Sequence, residues 1–118
     1  MIQPKPRLED TEQQAVIRFI KTHFPAVLFC SSNGGVRTSW KQAKKMVANG
    51  YVAGFPDLFL YEPNAQYKGL AIEMKRTKGG KVSPEQKWWQ EELNKRGYKA
   101  IICYGAIDAI KEIMSYFR

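Results

Sequence analysis

Gly54 to Lys75, GFPDLFLYEPNAQYKGLAIEMK, is the stretch on which the fold turns. Two short apolar runs, Asp57–Tyr61 and Leu70–Lys75, flank a polar turn over Glu62–Lys68. That pattern predicts an antiparallel hairpin. Side chains alternate across a strand, so Leu70, Ile72 and Met74 share one face and Ala71, Glu73 and Lys75 the other. Glu73 and Lys75 then stand ~6.7 Å apart along the strand, at a rise of about 3.3 Å per residue. With Tyr61 near Gly69 or Leu70, counting back brings Asp57 opposite Glu73, Met74 and Lys75. Desolvating two carboxylates and an ammonium is expensive, and an apolar strand gains no stability from them. A divalent metal with a phosphate is the most economical reason to gather them there.

Charge elsewhere in the chain points the same way. The 118 residues suit one domain, 1–118, with Pro-rich residues 1–7 as a loose lead-in. Apolar and charged fractions are ordinary for a globular protein, whereas a net charge of +8 is not. No acidic residue stands between Gln13 and Pro56, while Arg18, Lys21, Arg37, Lys41, Lys44 and Lys45 do. A second basic run, Lys75, Arg76, Lys78 and Lys81, follows the hairpin. A solvated basic surface would look alike, but runs flanking an acidic hairpin favour phosphate contact. Cys30 and Cys103 lie in apolar runs and read as buried free thiols. Without a CxxC pair, a zinc finger or ribbon is excluded. No signal peptide or spanning segment is visible, so a soluble, cytoplasmic protein is expected.

Around the hairpin, Asp10 or Thr11 can cap a helix running to about Thr22, with Glu12, Val16 and Phe19 on its inner stripe beside Ala15 and Ile20. Glu12 is there either as a first-turn acid favoured by the helix dipole or as a contributor to the site. Ala26–Cys30 reads as a strand, followed by a loop through Asn33, Gly34, Gly35 and Arg37. Ser39 caps a second helix, 40–49, with Trp40, Ala43 and Val47 inward. Ser83-Pro84-Glu85-Gln86 starts a third helix, with Gln86 as capping-box partner and Gln86, Trp89 and Leu93 inward. A strand, Lys99–Tyr104, and a helix buried through Ile107, Ile110, Met114 and Phe117 complete the chain. The tryptophans Trp40, Trp88 and Trp89 read as core more readily than as base-stacking platforms, and His23 as a helix-end residue. An α/β fold follows: a mixed central β-sheet of about four strands with helices on both faces.

The motifs Gly54-Phe55-Pro56-Asp57, Ile72-Glu73-Met74-Lys75 and Ser83-Pro84-Glu85-Gln86, with Trp89, Leu93 and Gly97-Tyr98, resemble the VRR-NUC family of the PD-(D/E)xK nuclease superfamily. The resemblance implies a PD-(D/E)xK core and a Mg2+- or Mn2+-dependent endonuclease acting on DNA. It carries Asp57, Glu73 and Lys75 over as catalytic, with Asp57 and Glu73 as metal ligands; independently of the resemblance, the Met74 carbonyl between the two charged side chains offers a hard cation a third oxygen. It favours Glu12 as a first-helix acid at the metal, and Gln86 matches the family's glutamine, whether to orient Lys75 or only to cap its helix. Small stand-alone members resemble junction-cleaving enzymes, so four-way (Holliday) or other branched DNA and a homodimer are expected. Arg37, Lys41, Lys44, Lys45, Arg76, Lys78 and Lys81 are the expected DNA contacts. The rival is a non-catalytic basic DNA-binding module on the same fold, which would keep its affinity in chelator.

Overall fold

β2 (Leu58–Leu60) and β3 (Leu70–Lys75) pair antiparallel with Leu58 opposite Ile72, Phe59 opposite Ala71 and Leu60 opposite Leu70. That register puts Tyr61 across from Gly69 and Asp57 across from Glu73, one of the pairings the sequence leaves open. The computed structural model describes residues 8–32 and 39–118. The expected lead-in at 1–7 and the glycine turn with Arg37 at 33–38 lie outside the described residues. Asn64 fixes the hairpin turn: its side-chain oxygen accepts from the amides of Gln66 and Tyr67, at 2.9 and 2.7 Å.

Two further strands complete the sheet. β1 (Phe29–Ser31) pairs antiparallel with β2, and β4 (Lys99–Tyr104) parallel with β3, giving the order β1-β2-β3-β4. The helices are α1 (Leu8–His23), α2 (Trp40–Ala48), α3 (Pro84–Lys95) and α4 (Ala106–Tyr116). α1 and α4 cover one face, where Val16, Ile20, Leu58, Leu60, Leu70, Ile72, Cys103 and Ile113 form the main core. α3 covers the other over a smaller cluster of Phe59, Ala71, Leu93 and Ala100. Each large aliphatic side chain so buried stabilises the fold by about 1.5–3 kcal/mol.

Several expectations need correcting. α1 starts at Leu8, so Asp10 and Thr11 lie within its first turn and not at its cap. β1 is displaced toward Ser31 and shorter than expected, because its length is set by three-residue β2; Leu28 is exposed. α2 buries nothing: Trp40 and Val47 are exposed, and only Ala43 and Met46 are half-buried. It lies in the excursion between β1 and β2, with no sheet face to cover. α4 is rotated from its expected phase, burying Ala106, Ala109, Ile113 and Tyr116 and exposing Ile107 and Met114. The turn at Gly105 (φ 89°) and the approach of α1 to small residues fix that phase. Cys103 is buried as expected, but Cys30 is exposed on edge strand β1. Among the described residues, no helix is long and apolar enough to cross a membrane.

Candidate active site

Asp57 stands one residue before β2, held on both sides. Its carbonyl accepts from the Ser32 amide at 2.8 Å, and its Oδ2 accepts from the Met74 amide at 2.8 Å. The side chain is thereby carried across the end of β2 to β3, beside Glu73. Glu73 is only 3% exposed, the one charged side chain among the described residues in the buried class. Residues opposed across an antiparallel pair have Cβ atoms about 4.5–5.5 Å apart. Lys75, half-buried, lies two residues on, on the same face as Glu73, and its carbonyl accepts from the Gly105 amide at 2.9 Å. Asp57, Glu73 and Lys75 therefore converge at one end of the sheet, on the α3 face.

α3 is docked onto this end by the loop that delivers Asp57. Gly54 adopts φ 90°, and a Cβ there would lie 2.6 Å from the Glu85 carbonyl carbon and 2.8 Å from the Gln86 amide nitrogen. The first turn of α3 thus sits on the Gly54 backbone at a distance only glycine permits. Trp89 Nε1 donates to the Ala53 carbonyl at 3.1 Å, and its ring meets Phe55 edge-on at 5.1 Å. The sequence holds both halves of this contact, Gly-Phe-Pro-Asp and Ser-Pro-Glu-Gln, but nothing local in it says that they touch. Gln86 is half-buried on the inner side of α3, and its Oε1 accepts from the Ser83 amide at 2.9 Å, closing the expected capping box. Its amide nitrogen keeps two N–H groups to offer.

Glu12 is brought to a different place. Its Oε2 accepts from the Ala106 amide at the start of α4, where the N-cap residue Gly105 has no side chain to do so. It lines a cavity of about 300 Å³ with Thr77, Tyr104, Asp108 and Lys111. No third acidic, histidine or cysteine side chain joins Asp57 and Glu73 in a metal-binding group among the described residues. The oxygens available to a cation there are two carboxylates and a backbone carbonyl. In a strand the N–H and C=O of one residue point to the same side, so the Met74 carbonyl faces Asp57 as its amide does. Three oxygens suit a hard cation that keeps waters in its remaining positions.

The expected basic residues are open to solvent. Lys41, Lys44 and Lys45 are exposed on α2, and Arg76, Lys78 and Lys81 on the loop leaving β3. That loop folds back on Lys75: a Cβ on Gly80 would lie 3.0 Å from the Lys75 Cβ. Arg37 lies outside the described residues.

The profile of the VRR-NUC domain matches residues 26–107, a span that holds all three motifs. A solved structure described as a VRR_NUC domain protein superposes with a TM-score of 0.80 at 29% identity. The match covers 96% of this chain and 90% of that one. No curated protein sequence matches the chain.

Proposed function

Since the chain belongs to the VRR-NUC family, whose domain is a nuclease domain acting on DNA, we propose that it is a Mg2+- or Mn2+-dependent endodeoxyribonuclease. One observation carries this reading: Asp57, tied through Oδ2 to the Met74 amide, stands beside the buried Glu73 with Lys75 on the same face. A folded domain needs no such cluster for its stability.

Asp57, Glu73 and the Met74 carbonyl hold the cation. A divalent ion bound there supplies charge neutralisation at the phosphate and an acidified water. Lys75 contacts the attacking water or a non-bridging phosphate oxygen, and the Gln86 amide holds the Lys75 ammonium or the water in line. Glu12 supports the site through α4, whose start follows the strand beside Lys75. Lys41, Lys44, Lys45, Arg76, Lys78 and Lys81, with Arg37, hold the DNA backbone, so recognition is by shape and phosphate. The substrate is branched DNA such as a four-way junction. A chain with one site cuts two strands related by a two-fold axis as a homodimer.

Cleavage of labelled four-way junction, flap and linear duplex with Mg2+ or Mn2+, for wild type and Lys75→Ala, tests this. Junction cutting that is lost in the variant, with binding kept, is the expected outcome. Binding without cutting of any substrate in either metal would point to the DNA-binding module instead. Sedimentation of a monomer that cuts junctions fully would remove the dimer.

A further inference from the structure

α2 is an amphipathic helix that buries none of its residues. Its body-facing side is marked by the half-buried Ala43 and Met46. Turning away from them at 100° per residue, the next side chains are Val47 and Trp40, then Lys44, Lys41 and Lys45. Trp40 is 77% exposed, and the Lys44 Nζ lies 5.2 Å from its ring centroid. An indole left in water forgoes much of the ~1.5–3 kcal/mol that burying a large apolar side chain contributes. Packing therefore does not account for Trp40.

The helix that carries it is capped at its start. Ser39 and Gln42 close a reciprocal capping box in front of Trp40, the first residue of α2. The excursion that contains α2 leaves the sheet at Ser32 and returns at Asp57, and those two residues are hydrogen-bonded to each other at 2.8 Å. Both ends of this lobe are thus anchored at the Asp57 end of the sheet. Between Glu12 and Asp57 the chain holds no carboxylate side chain. An exposed indole with Lys44 against it, on a helix that also turns Lys41 and Lys45 to solvent, suits an anionic polymer that also offers flat apolar faces. The lysines weigh toward phosphate and against the core of a protein interface, where charged residues are depleted.

We propose that Trp40 stacks on an unpaired nucleobase of single-stranded or splayed DNA, while Lys41, Lys44 and Lys45 hold the flanking phosphates. The inference rests on DNA being the substrate and adds that the DNA bound carries an unpaired base. Lys44 covers one face of the indole and leaves the other to the base. Base–aromatic stacking is worth about 1–3 kcal/mol and tolerates any base, so the contact reads structure rather than sequence.

The test is fluorescence-anisotropy binding in chelator, where no metal-dependent cutting occurs. The probes are a splayed duplex carrying 2-aminopurine in its unpaired arm and a fully paired duplex of equal length. Trp40→Ala should weaken splayed-duplex binding by about 5–150-fold and leave the paired duplex within twofold. Trp40→Phe should restore most of the loss, and 2-aminopurine quenching by wild type should vanish with Trp40→Ala. Equal loss on both probes, no loss on either, or conversion of a dimer to a monomer by Trp40→Ala would overturn the proposal. Cleavage with Mg2+ or Mn2+ is scored separately. A chain that binds through Trp40 but cuts nothing refutes the nuclease reading alone, and one that cuts while Trp40→Ala binds as wild type refutes the stacking alone.

Discussion

The two faces of β3 differ in kind. Toward α1 and α4 the strand presents Leu70, Ile72 and Met74, which merge with Leu58, Leu60 and Cys103 into the main core. Toward α3 it presents Ala71, Glu73 and Lys75, and the apolar cluster there ends at Ala71, Phe59, Leu93 and Ala100. One strand therefore divides the molecule into a face that holds the fold and a face that holds the charges. Alternation makes this separation strict: a slip of one residue would turn Glu73 into the core and Ile72 toward α3. The register that stabilises the sheet is the register that assembles the site.

Adjacent substitutions on β3 test the division most severely. Glu73→Gln keeps the shape of the side chain and removes its charge. Cleavage is expected to fall about a thousandfold or more, since an ion clamp on the phosphate supplies several kcal/mol, with the urea midpoint near that of wild type. Ile72→Ala, one residue away, should cost about 2–5 kcal/mol of stability through the cavity it leaves, while the folded fraction still cuts. Stability loss in Glu73→Gln and activity loss at full folding in Ile72→Ala would together abolish the distinction.

Gly54→Ala sharpens the comparison from outside the strand. The position has φ 90°, and the added methyl would lie 2.6 Å from the Glu85 carbonyl carbon. The first turn of α3 must move, so Gln86 and the Phe55–Asp57 segment separate. A loss of about 1–3 kcal/mol is expected from strain and displacement, with a fall in cleavage although Gly54 has no side chain to offer a substrate. A variant that loses stability but cleaves as wild type once folded would show that α3 braces the fold and not the site.

What could be read from the chain beforehand follows the range of the forces involved. The hairpin, its register and the order of the eight elements rest on local signals: period-two alternation, the Asn64 turn and the Ser83–Gln86 capping box. Those bring Asp57 to the Glu73–Lys75 end of β3, and the backbone pairing then selects Glu73. The buried faces of α2 and α4 do not follow from local signals, because an amphipathic helix states that it has a face but not what meets it. In α4 the small Ala106 and Ala109 are buried, while the larger Ile107 is 73% exposed. In α2 the apolar stripe meets no sheet at all. Glu12 accepts a hydrogen bond from an amide 94 residues away, a contact set only by the packing of α1 against α4. The Gly54–Glu85 contact is likewise tertiary, although a glycine fixed two residues before Pro56 is a signal of close approach.

The smallest expected effect lies on the apolar face. Burial, with Asp108 and Glu112 adding to it, pushes the Cys103 thiol up from an ordinary 9.0 to about 12. Below about 9 both folded and unfolded chains keep this proton. Between about 9 and about 12 only the unfolded chain releases it, so the unfolded state binds fewer protons and stability falls as pH rises. Tyr116, whose phenol is also raised by burial, titrates in alkaline solution too, so wild type is compared with Cys103→Ala, in which the tyrosine's contribution cancels. Cys103→Ala is less stable near neutrality for want of packing, and the gap should narrow as pH climbs above about 9. Cys30, exposed on β1, should meanwhile alkylate at the native rate of an open thiol, and Cys103 only on unfolding. A gap that stays constant with pH, or two thiols alkylating together in the folded protein, would mean that this face admits water, and the division between the two sides of β3 would then be one of charge and not of solvent.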